Sequence, residues 1–201
     1  ADMVLESEAA LNLSLRVARA VDNQNSNEDE RSFARISTAI SKYWITKRAP
    51  YLVFEALECH GGPGYIEESI MPRLYREAPL NSIWEGSGNV MCLDVLRALQ
   101  RDKNALPALF RELAPAKGSN KNFDESFSRL KETLQDPIDL EIEARLLTEK
   151  MACLIQASIF IKSGEEEKGS AFCNSRLGPR WSGAFGTLPT DTSFEYIMGG
   201  L

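Results

Sequence analysis

The sequence predicts an all-α fold, a helical bundle, on three observations. Apolar residues return every three or four positions over most of the chain. No segment alternates apolar and polar residues with the period of two that a half-buried strand requires. The periodic segments are separated by short clusters rich in Gly, Pro, Asn or Ser.

Taken in order, Ala9, Leu13, Val17 and Val21 predict an amphipathic helix over roughly residues 3 to 21. The polar run DNQNSNEDE is a solvated connection. A second helix starts near Asp29, with acids in its first turn facing the positive end of the helix dipole. Phe33, Ile36, Ile40, Tyr43 and Trp44 form its stripe, Pro50 kinks it, and Gly61-Gly62 stops it. An irregular stretch punctuated by Pro63, Pro72 and Pro79 follows. Asn89 to Leu99 is helical, with Asn89 as N-cap and Val90, Leu93 and Leu96 on one side. Leu106, Leu109, Phe110 and Leu113 mark a short helix, and Phe123, Phe127, Leu130 and Leu134 another. Asp136-Pro137 signals the start of a long helix carrying Ile138, Ile142, Leu146 and the run Met151 to Ile161, ended by Gly164. One more short helix fits GEEEKGSAFCNSRL, and the Gly- and Pro-rich end reads as an irregular tail.

A length of 201 residues suffices for one sizeable core, or one and a half. No apolar run approaches the 18 or so residues of a membrane span. Four cysteines without CxxC spacing and a single histidine, His60, leave no zinc-ligand pattern, so no metal is expected. Reduced, mostly buried thiols place the chain in a reducing compartment, and a cytoplasmic location is expected. The net charge of -6 argues against general nucleic-acid binding, which needs a basic surface. The start ADMVLESEAA, already in helical rhythm, reads as that of a fragment or processed chain.

Three stretches could carry chemistry. CHGGPGY (Cys59 to Tyr65) is either a helix C-terminus with a left-handed glycine, or bare backbone that lets a phosphate or ring approach. In PRLYREAP, Arg73 and Arg76 are available for ion pairs with Glu67, Glu68 or Glu77, or for an anionic ligand. In IWEGSGN, Glu85 is either a solvated loop residue capping the next helix, or a general base kept partly dry by Ile83 and Trp84.

The order in which these occur, a long helix ending in GGxGY, then RLYRE, then IWEGSGN opening another helix, resembles the C-terminal helical domain of the acyl-CoA dehydrogenase family. EESIMPRLYREAPLNSIWEGSGNVMCLDVLRAL is most similar to the AidB branch, flavoproteins of the bacterial alkylation response. The resemblance is strong over residues 1 to 100 and general beyond about 120. It implies an up-down bundle core over 1–102, with extra C-terminal helices over 103–201 packed on it. It further implies FAD as cofactor, with Gly61, Gly62 and Gly64 against a neighbouring subunit's flavin and Ser87 and Asn89 against the flavin of their own subunit. Glu85 matches the family's catalytic base, which takes the α-proton of an acyl-CoA, and Trp84 would border the acyl pocket. The usual EGTS is EGSG here, so Gly88 stands where the family has a side chain. A homo-oligomer, dimer or tetramer, is implied as well. The family places an α-helical domain and a β-domain ahead of this bundle, and both are needed for dehydrogenase activity. The branch is credited with protecting DNA through basic residues, and the acidic balance of this chain disfavours that role.

Overall fold

The structure, a computed structural model, describes residues 1–135 and 140–199 and is helical, with no strand among the described residues. Helix α1 (Asp2–Asn23) turns through a tight polar connection into α2 (Glu28–Cys59). Asn27 caps α2, its Oδ1 accepting from the amides of Asp29 at 2.9 Å and Glu30 at 3.2 Å. Glu28, Asp29 and Glu30 add negative charge where the dipole is positive. The 32 residues of α2 reach about 48 Å, and the helix runs on through Pro50 without ending. Just past its C-terminus Gly61 adopts φ 62° with ψ -145°, a backbone conformation open chiefly to glycine, and its N–H donates to the carbonyl of Glu58 at 2.9 Å.

Next come the short helices α3 (Gly62–Tyr65) and α4 (Met71–Glu77) and a 3₁₀ segment, Ala78–Ser82. They lie against the distal half of α2. Then follow α5 (Gly88–Arg101), α6 (Ala105–Leu113), α7 (Lys121–Gln135), α8 (Leu140–Lys162) and α9 (Glu166–Phe172). The last of these runs into a π-helical turn, Cys173–Leu177. Helices α1, α2, α5 and α8 pack in a ring, each against the next, with α2 and α8 also touching across it. Three walls of this four-helix core therefore come from the first hundred residues and the fourth, α8, from the second. Phe33, Ile36, Ile40, Tyr43 and Trp44 all point into it, joined by Leu5, Leu13, Val95, Met151 and Ile155.

Several apolar positions face elsewhere than their spacing predicts. Val21 is exposed and Ala20 buried, because a strict fourth-residue spacing drifts off a face that repeats every 3.6 residues. On α5 the buried line is Cys92, Val95, Leu96 and Ala98, while Val90 lies open; the N-cap is Ser87 rather than Asn89. On α8, Ile142 is 81% exposed and Leu146 is 51% exposed, whereas Ala144, Leu147, Thr148 and Met151 face the core. The Asp136-Pro137 start signal and Ile138 lie outside the described residues. The tail, expected to be irregular, carries one further short helix, α10 (Phe194–Met198), whose Ile197 is fully buried.

The tail is tied down by a buried ionic cluster. Glu6 of α1 accepts from Arg48 of α2 at 2.9 Å and from Arg176 of the π turn at 3.1 Å; Arg176 also pairs with Asp2. Arg48 donates to the carbonyl of Gly183 at 2.9 Å, and the amide of Gly186 donates to Asp2 at 2.9 Å. The Trp181 ring is held between the two guanidinium groups, 5.1 Å from that of Arg48 and 4.7 Å from that of Arg176.

Candidate functional site

The loop between the 3₁₀ segment and α5 is built from two consecutive residues with positive φ, Glu85 at 54° and Gly86 at 108°. Glycine is required at the second position, since a side chain there would be strained whatever the space around it. Glu85 is the one described non-glycine residue with positive φ, a costly conformation for a residue with a Cβ. The reversal turns the carbonyls of Trp84 and Gly86 to the same side, where both accept from the ammonium of Lys42 on α2. The Trp84 contact measures 2.8 Å. Burial pushes the Lys42 ammonium below its ordinary value, against the opposing charge of Glu85.

The Glu85 carboxylate has no hydrogen-bond partner among the described residues and does not cap α5. Ile83 and Trp84 beside it are exposed, at 63% and 57%. Within this chain they do not enclose the carboxylate. Ser87 is the N-cap of α5 without using its side chain for capping, so its hydroxyl is uncommitted. Asn89 accepts from Arg145 Nε of α8 at 2.6 Å through Oδ1, which leaves its amide NH₂ as the group open to a ligand. At Gly88 a Cβ would lie 2.8 Å from Cε of Lys47, whose flexible tip could swing aside.

The glycine turn is a second locus. A Cβ at Gly64 would stand 2.3 Å from the backbone oxygen of Leu57, so glycine there is demanded by the fold itself. Gly61 is demanded by its φ. At Gly62 a Cβ would meet nothing within 4 Å, and φ is not positive. Arg76 braces this region through a two-pronged pair with Glu67, at 2.8 and 3.0 Å, and Arg73 lies 3.9 Å from Glu77. These are the structural ion pairs that the sequence offered as one of its alternatives.

The loop and the glycine turn are separated by most of the distal half of α2. Lys42 marks the first and His60 the second, and the intervening helix rises about 27 Å. Between them run two shallow clefts. One, of about 420 Å³, is lined by Lys47, Pro50, Tyr51, Phe54, Tyr75 and Ser82. The other, of about 530 Å³, lies among Leu57, Tyr65, Ile66, Pro72, Tyr75 and Arg76. Tyr75 is shared by both, its ring 5.8 Å from that of Phe54. A larger concavity, about 610 Å³ between α7 and α8, involves none of the candidate residues. Lys42 is the member of the site that sequence reasoning misses. It sits about forty residues from the loop it holds, and no local motif marks it.

Comparison with known proteins bears on the fold and the family. Residues 1–100 match the family model described as acyl-CoA dehydrogenase, C-terminal domain. The putative acyl-CoA dehydrogenase AidB of Escherichia coli is 39% identical over 178 residues, 89% of this chain and 32% of that protein. Acyl-CoA dehydrogenase family member 11 of Caenorhabditis elegans is 35% identical over 136 residues, 68% of this chain and 21% of its own length. The chain thus spans about a third or less of these relatives. Among solved structures, that of Caenorhabditis elegans ACDH-11 in complex with C11-CoA superposes with a TM-score of 0.78 at 24% identity. It covers 86% of this chain and 35% of the other, and shows the shared fold. With this fold, the GGxG turn and the EGSG loop in place, the chain belongs to the acyl-CoA dehydrogenase family and is AidB-like.

Proposed function

We propose that this chain is the helical, FAD-contacting part of an acyl-CoA dehydrogenase-like flavoprotein, in which Glu85 is the base that removes the α-proton of an acyl-CoA thioester. The observation that carries the reading is the Glu85 loop. A carboxylate without an internal partner is presented on a left-handed turn whose backbone is clamped from α2. A glutamate serving only as a surface residue has no need of a backbone conformation that most side chains avoid.

The residues present fit a flavin nucleotide. At Gly61 and Gly62 the backbone is bare, with nothing within 4 Å of a Cβ position, as close approach of a phosphate or ring requires. The Ser87 hydroxyl and the Asn89 NH₂ are donors free to bind it at the other locus. FAD, when bound, supplies the hydride acceptor. Glu85 then takes the α-proton, and Trp84, flat and exposed beside it, borders the acyl chain. The roughly 27 Å between the two loci suits glycines that serve a neighbouring copy's cofactor and a loop that serves its own. A homo-oligomer is part of the same proposal, supported by the exposed Tyr51, Phe54, Ile66, Ile70 and Leu74 on the face that joins the loci.

The test is the absorption of the purified gene product carrying this chain, before and after incubation with FAD. A flavin spectrum retained through gel filtration is expected. A colourless protein that takes up no FAD contradicts the reading.

A further inference from the structure

Lys42 departs from the behaviour of a surface lysine. Its neighbours Ser41, Tyr43 and Trp44 are buried, so its stem rises from the fixed part of α2. Its ammonium donates to two carbonyls, of Trp84 and Gly86, and these bracket one residue, Glu85. Both carbonyls reach a single nitrogen only because Glu85 and Gly86 are left-handed in succession. Rotation about φ or ψ of Glu85 would withdraw one carbonyl or the other, so the clamp and the unusual backbone stand or fall together. Two charge-assisted hydrogen bonds to the flanking carbonyls offset the strain of such a backbone.

We propose that Lys42 is the positioning residue for Glu85: it holds the carboxylate's backbone in the left-handed turn and so sets where the base stands over a bound acyl-CoA. The inference rests on Glu85 being the base. A clamp of this kind acts on the proton transfer rather than on affinity. A base displaced by about 1 Å loses up to roughly a hundredfold in rate, whereas acyl-CoA binding through other contacts is left in place.

A double-mutant cycle with an amide-resonance measurement tests it. In the 201-residue chain, Lys42→Met is expected to shift the backbone amide resonances of residues 84–89, whose carbonyls at 84 and 86 lose their donor, with those of the core unchanged. In the FAD-loaded gene product, K42M is expected to slow acyl-CoA-dependent flavin bleaching by roughly tenfold to a hundredfold, at unchanged flavin content and unchanged half-saturating acyl-CoA. In an E85Q background the same change is expected to alter the residual rate by less than about twofold. Lys42→Gln, with fewer donors, repeats the cycle should K42M not retain flavin. Bleaching by K42M as fast as wild type overturns the role of Lys42, as does a K42M loss that multiplies that of E85Q. If E85Q itself bleaches at the wild-type rate, the base reading fails first and takes the positioning role with it.

Discussion

Gly62 and Gly64 stand two positions apart in one motif and answer to different demands. The Leu57 oxygen forbids a side chain at Gly64, whereas nothing in this chain forbids one at Gly62. Gly64→Ala is therefore expected to lower the stability of the isolated chain by about 1–3 kcal/mol, read from urea midpoints. Gly62→Ala is expected to stay within about 0.5 kcal/mol of the parent and to weaken flavin uptake by the gene product. Equal destabilisation by both would mean that the whole motif serves the helix terminus. The sequence alone held both readings of these glycines, because a GG pair ends a helix as well as it admits a ligand. Glu85 stands out in the sequence through its motif as the candidate base. Lys42 was not, since a lysine on a helix carries no sign of the distant carbonyls it will meet.

At the scale of the element, the apolar spacing located the longer helices but not α3, α4 and α10, which lie in stretches read as irregular and are too short to show a period; the errors of face have one cause. Periodicity gives the repeat of a buried face but not which neighbour covers it. On α8 the stripe Ile142, Leu146 looked as good as Ala144, Leu147, Met151, and the ring of α1, α2 and α5 selected the second. The tail shows the converse. Its order comes from the Asp2, Glu6, Arg48 and Arg176 cluster, four charges scattered over 175 residues that no local pattern connects.

Ion pairs between elements also set an acid limit. Glu112 of α6 is half-buried; burial raises its carboxyl, but the hydrogen bonds and charges of Arg16 and Lys162 outweigh that and hold it below the ordinary carboxylate range. A depressed carboxyl contributes stability that is complete above the unfolded value, about 4.3, and is lost as pH falls through the folded value. Urea midpoints of the parent and of Glu112→Gln should therefore differ at neutral pH and converge as pH drops below about 4. Curves that stay parallel would show that Glu112 is not the group responsible.

The whole molecule has two unequal ends. Around the four-helix ring the core is continuous and closed, while the distal half of α2 and the segments against it expose Tyr51, Tyr65, Ile70, Ile83 and Trp84. Fold class and family were legible because they depend on helical periodicity and on three motifs in order. The enclosure of the site was not legible, because the surfaces that would cover Glu85 are not contributed by this chain's described residues. No helix of the described chain is long and apolar enough to cross a membrane.

All of this turns on Glu85. Anaerobic mixing of the FAD-loaded gene product with an acyl-CoA, followed at the flavin absorption band for wild type and E85Q side by side, addresses it directly. The expected result is that E85Q holds flavin as wild type does but bleaches slower by about 10²-fold or more. Equal bleaching by the two proteins would contradict the assignment of Glu85 as the base.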